Sequence, residues 1–82
     1  MFDKLKQLKQ LKDLQKEVQA QKFESEKQGV RAVVNGAMQL EDLTLNPSMD
    51  AQSQERIVKD CINDAMTKAQ VAVSQKFAGM MQ

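Results

Sequence analysis

The passage VVNGAMQLEDLTLNPS, Val33 to Ser48, lies between two long stretches, residues 1–28 and 49–78, that contain neither Gly nor Pro. A β-branched, sharply turned middle between two such stretches excludes a plain helical hairpin and calls for a sheet flanked by helices. The run GVRAVVNG alternates from Val30 and ends in Asn35-Gly36, a dipeptide suited to the two positive-φ positions of a two-residue hairpin turn. With that loop Val34 faces Ala37 and Val33 faces Met38. One sheet face then collects Val30, Ala32, Val34, Ala37, Leu43 and Leu45, and the other Val33, Met38 and Leu40. Upstream, QKFESE reads as a further edge strand that turns near Lys27-Gln28-Gly29. Pro47 cannot donate to a ladder and biases Asn46 away from helical angles, so the sheet ends at LNPS.

The flanks read as helices. From Phe2 to Gln21 the chain is dominated by Leu, Lys, Gln and Glu, all good helix formers. At about 100° per residue, Leu8, Leu11, Leu14 and Val18 share one face, while Lys9, Lys12 and Lys16 cluster opposite with Lys6 nearby. The series Phe2, Leu5, Leu8, Leu11, Leu14 steps by three and winds round a straight helix, which leaves Leu5 beside the lysines and the first turns exposed. After the sheet, Asp50 or Ser53 can cap a second helix. Its apolar stripe is Val58, Cys61, Ile62, Ala65, Met66, Ala69, Ala72 and Val73, and the tail beyond Lys76 is expected to fray. The expectation is a single α+β domain over 1–82: a helix at 1–21, antiparallel strands within 22–46 and a helix at 50–78.

Composition narrows the function classes. A chain of 82 residues without His lacks His-based acid–base chemistry, the common nucleophile pairs and most zinc sites. A single Cys cannot form an internal disulfide, and with no His beside it does not make a metal site, which suits a reducing cytoplasm. Three Phe and no Trp or Tyr give little to stack single-stranded bases on. The N-terminal segment does not resemble a signal peptide and no run reaches the ~18 apolar residues of a membrane span, so a soluble intracellular protein is expected. Catalysis, cofactors, metals, membranes and small-molecule substrates are not expected.

The net charge of +1 is unevenly distributed. Residues 1–22 hold six Lys against three acids, giving +3; residues 23–50 hold two bases against five acids, giving −3; residues 51–82 give +1. A chain this short buries only about 60–65% of its unfolded surface, and two apolar sheet faces outnumber the helices able to cover them. A second copy is the natural cover, with Val30, Val33, Met38, Leu40 and Leu43 as the expected interface.

The segments VVNGAMQLEDLTLNPSM and IVKDCINDAMTKAQ resemble the YbaB/EbfC family of bacterial nucleoid-associated proteins. The marks are Asn35-Gly36-Ala37, Asn46-Pro47-Ser48 and Asn63-Asp64-Ala65, and the correspondence runs from about Phe2 to Met80. It is the joint spacing, not any one motif, that carries the likeness. The resemblance implies a tweezer-like homodimer joined through its sheets that binds double-stranded DNA with little sequence preference, in the cytoplasm on the nucleoid. Departures are Asn46 where the family usually has Asp, shorter segments before the Asn-Gly turn and the second helix, and almost none of the Gly- and Pro-rich terminal extensions. The expected DNA-binding residues are Lys4, Lys6, Lys9, Lys12 and Lys16 on the first helix and Lys59, Lys68 and Lys76 on the second. Ammonium groups at helical spacing suit phosphates, and no side chain is marked out to read a base edge. An interaction module that docks its apolar stripe on another protein's helices, with lysines serving solubility, is the alternative.

Overall fold

The structure, a computed structural model, describes the backbone of residues 2–80 and the side chains of residues 5–79. Its order is α1 (Phe2–Ala20), β1 (Lys22–Lys27), β2 (Val30–Asn35), β3 (Leu40–Thr44) and α2 (Ala51–Met80). This is the expected α+β sequence of elements: one helix, a three-stranded antiparallel sheet ordered β1-β2-β3, and a long second helix. Asp50 caps α2, its carboxylate accepting from the Ser53 N–H at 3.1 Å, and the helix continues without a break to Met80.

The core forms where α2 crosses β1 and β2. Val30, Ala32 and Val34 of β2 are fully buried against Cys61, Ala65 and Ala69 of α2. These three small α2 residues, four apart, let the helix axis come close to the strand. Phe23, Met38, Leu43, Ile57, Val58, Ile62 and Met66 close the edges. Each fully buried valine contributes about 1.5–3 kcal/mol. The polar seam is equally specific. The Ser25 hydroxyl donates to Asp64 Oδ2 at 2.7 Å, and Cys61 Sγ donates to the Ser25 carbonyl at 2.9 Å.

The turns differ from the reading above. Asn35-Gly36 is not a two-residue hairpin turn, and Gly36 does not have a positive φ. The loop is Gly36-Ala37-Met38, closed by the Asn35 N–H to the Gln39 carbonyl at 3.0 Å, with Met38 at φ 62°. Asn35 Oδ1 organises it, accepting from the N–H groups of Ala37 at 2.9 Å and Gln39 at 3.1 Å. The turn with two consecutive positive φ values is instead Gln28-Gly29, at 51° and 85°.

The longer loop and an irregularity at Val33/Val34 shift the register, so that Ala32 pairs with Leu43, Val33 with Asp42 and Val34 with Leu40. This corrects the expected second apolar face. Met38 packs against the α2-side core, and Leu40 lies opposite Val34 rather than beside Val33. On the far face only Val33 is apolar, among Glu24, Glu26, Arg31 and Asp42, which share that side by register. Ala37 and Leu45, placed by sequence on one face with Val30, Ala32 and Val34, are exposed.

Asn46 ties the sheet's end to the first turn. Its Nδ2 donates to the Gln28 carbonyl at 2.8 Å, its Oδ1 accepts from the Ser48 N–H at 3.0 Å, and its own N–H donates to Gln54 Oε1 at 2.6 Å. The Nδ2 donor is what aspartate lacks. Asn46→Asp, although it moves toward the family's usual residue, is therefore expected to cost about 1 kcal/mol and lower the urea midpoint. An unchanged midpoint would mean that the Gln28 carbonyl finds another donor.

Candidate nucleic-acid interface

Helix α1 is the basic element, and it stands apart. The close contacts of the fold lie within the sheet and between the sheet and α2, with α1 outside them. The molecule is accordingly long, 60 × 19 × 13 Å, with a radius of gyration of 16.8 Å, against about 12 Å for a compact chain of this length. Among the described residues, the last turn of α1 is the part that is anchored. Val18 is buried, the Gly36 N–H donates to the Gln21 carbonyl at 3.1 Å, and a Cβ at Gly36 would lie 1.8 Å from the Val18 carbonyl oxygen. The glycine that reads as a turn residue is thus needed for a close approach of two backbones.

Along α1, Lys6, Lys9, Lys12 and Lys16 are all exposed, and among the described residues none of the four has an ion-pair partner. From Lys9 to Lys16 they span about 10 Å of helix axis. Lys4 lies outside the described side chains. Leucine exposure falls along the helix from Leu5 at 65% to Leu8 at 58% and Leu11 at 41%, so the first turns are open as expected. The apolar face of α1 is covered only at its C-terminal end.

The α2 lysines divide. Lys59 is exposed and has no ion-pair partner among the described residues. Lys68 is held by Asp64 at 3.6 Å and by the Glu24 carbonyl, to which it donates at 3.0 Å. Lys76 pairs with Glu17 of α1 at 3.4 Å. A cleft of about 420 Å³ opens between the helices there, lined by Gln10, Asp13, Leu14, Glu17 and Lys76. Glu17 is the residue that sequence reasoning passed over, because its partner is 59 positions away and leaves no local signal.

The five residues expected at the dimer interface fall unequally. Val30 is wholly buried under its own α2, Met38 and Leu43 pack on the same core, Val33 is buried among charged neighbours, and Leu40 is exposed on the edge strand β3.

The acidic groups have their own arrangement. Arg31 bonds Glu24 at 2.8 Å and reaches Asp42 at 4.0 Å on the outer sheet face; the Glu24 carboxyl is held below its ordinary range by that guanidinium. The Ser25 hydroxyl, with Lys68 and Lys27 adding, does the same for Asp64. A carboxylate depressed by folding contributes stability that is complete above its unfolded value and is lost as pH falls through the folded one. Ser25→Ala is therefore expected to flatten the stability loss below about pH 4, read as melting temperature against pH. An acid limb as steep as in the parent would remove Asp64 from that role. Among the described residues no group of side chains could hold a metal ion, and no described helix is long and apolar enough to cross a membrane.

A model of the YbaB/EbfC DNA-binding family matches residues 1–82, the whole chain. No curated protein and no solved structure matched it.

Proposed function

The chain belongs to the YbaB/EbfC DNA-binding family, and we propose that it coats or bridges duplex DNA on the bacterial nucleoid, with little sequence preference, as a homodimer whose α1 helices carry the phosphate contacts. The family is one of DNA binding. The observation that carries the reading is the row Lys6, Lys9, Lys12 and Lys16, exposed on one helix and unengaged by any acid among the described residues. Lysine ammonium groups on a rod neutralise backbone charge and read no base, hence the low sequence preference. Lys59 extends the set; Lys68 and Lys76 join it only by leaving their present partners.

The joint between chains is assigned to the sheets. Leu40 and Leu45 expose apolar surface at the open edge of β3, and an unpaired edge with exposed leucines accepts a second copy by strand addition. With four α1 lysines per chain and two chains, about eight phosphates are neutralised, so log affinity falls against log salt with a slope of about −7. A mobility-shift titration of random-sequence duplex between 50 and 300 mM salt reads that slope, as order-of-magnitude conditions. Absent or salt-insensitive binding, or a folded single subunit in sedimentation at micromolar concentration, would overturn the reading.

A further inference from the structure

We propose that the Glu17–Lys76 pair is a clasp that sets the angle of the α1 arm and that duplex phosphate opens it; the second half rests on the DNA reading above, the first does not. Three observations converge on this pair. It is the one ion pair joining α1 to α2 among the described residues, at 3.4 Å. It sits in the cleft between the two helices, beside Gln10, Asp13 and Leu14, and the extensive backbone contacts of the fold do not include α1 with α2. It adjoins the anchored end of the arm, where the next residue, Val18, lies over Gly36 and the Gln21 carbonyl accepts from the Gly36 N–H. Because the anchor and the tie sit together at one end of a rod, a small change of tilt there becomes a displacement of several times that size at the far end of the arm.

The geometry gives the tie a competitor. At about 100° per residue, Glu17 borders the face that carries Lys6, Lys9 and Lys16, on the side of the cleft. A duplex lying on those lysines brings phosphates to the margin where Lys76 is held. Lys76 then exchanges one carboxylate for a phosphate, and Glu17, left beside the duplex, is repelled from it. Loss of the direct tie and repulsion of Glu17 favour the arm swung away from α2. An exposed pair of this kind biases an equilibrium by roughly two- to fivefold and is weakened by salt, so the clasp sets a population and does not lock the arm.

The test measures the distance between nitroxides at Gln7→Cys and Gln75→Cys, in labelled chain diluted with unlabelled chain so that only distances within one subunit are read. Cys61 is buried and escapes the label. Without DNA, Glu17→Gln and Lys76→Gln are each expected to raise the long-distance population roughly two- to fivefold. Adding duplex should produce the same shift in the parent and no further shift in Lys76→Gln. Glu17→Gln should also raise duplex affinity roughly two- to fivefold more than Asp13→Asn, which removes the same charge from the same arm, and this excess should vanish when Lys76→Gln is added. Unchanged DNA-free distances in both variants would overturn the clasp. A DNA-free shift with no response to bound duplex would overturn its control by DNA, and absence of duplex binding would instead sink the function proposed above.

Discussion

Gly36→Ala lowers the melting temperature by about 10 °C or more, from a loss of about 2–3 kcal/mol. The methyl group would stand 1.8 Å from the Val18 carbonyl oxygen and 2.6 Å from its carbon. Both are backbone atoms, so no rotamer change relieves the clash. Two responses are open to the chain: distortion of the hairpin loop that Asn35 Oδ1 organises, or detachment of the last turn of α1 with exposure of Val18. The second is the cheaper, because α1 has so few other attachments. Hydrogen exchange should therefore accelerate across Lys16–Gln21 while the amides of β2 and the middle of α2 keep their protection. A variant that melts with the parent and retains protection in that turn would mean that α1 does not descend onto residue 36.

The largest effect on binding is expected from replacing Lys9, Lys12 and Lys16 together with Gln. Gln and Lys have nearly equal helix propensity, and none of the three lysines has an acidic partner among the described residues to be left behind. The fold is therefore expected to survive, which far-UV circular dichroism and the melting temperature will check. Binding is another matter. On the proposed dimer, removing about six of about eight phosphate contacts is expected to bring the salt slope from about −7 to about −2 and to weaken affinity at 0.1 M salt by about a thousandfold or more. If the triple variant shifts duplex like the parent, the lysines serve solubility and the DNA contacts lie elsewhere.

The sequence declares its helices, its central strand and the α2 stripe of Cys61, Ala65 and Ala69, because these follow from periods that a window of a dozen residues contains. What it conceals is set by contacts between distant segments. Asn35-Gly36 carries the strongest local hairpin signature in the chain, yet Gly36 is selected by the α1 backbone above it, 18 residues upstream at Val18. Gln28 has no marked preference for positive φ, yet it adopts one in a turn that Asn46 secures from across the sheet. The apolar outer face failed for a related reason. One extra loop residue and one irregularity between Val33 and Val34 were enough to take both Met38 and Leu40 off the outer face. The exposed lysines were legible as a face of α1; which α2 lysines are already engaged was not, since Lys68 and Lys76 find their partners through the fold.

The ion network around Val33 on the outer sheet face has a further consequence. With Glu24, Glu26 and Asp42 against Arg31 and Lys22 on that face, the outer side of the sheet is weakly anionic while the rod is cationic. On the function proposed above, such a body would approach a duplex rods first. If it binds duplex as proposed, its weakly acidic sheet would face outward, and subunits bound to neighbouring strands would repel one another there.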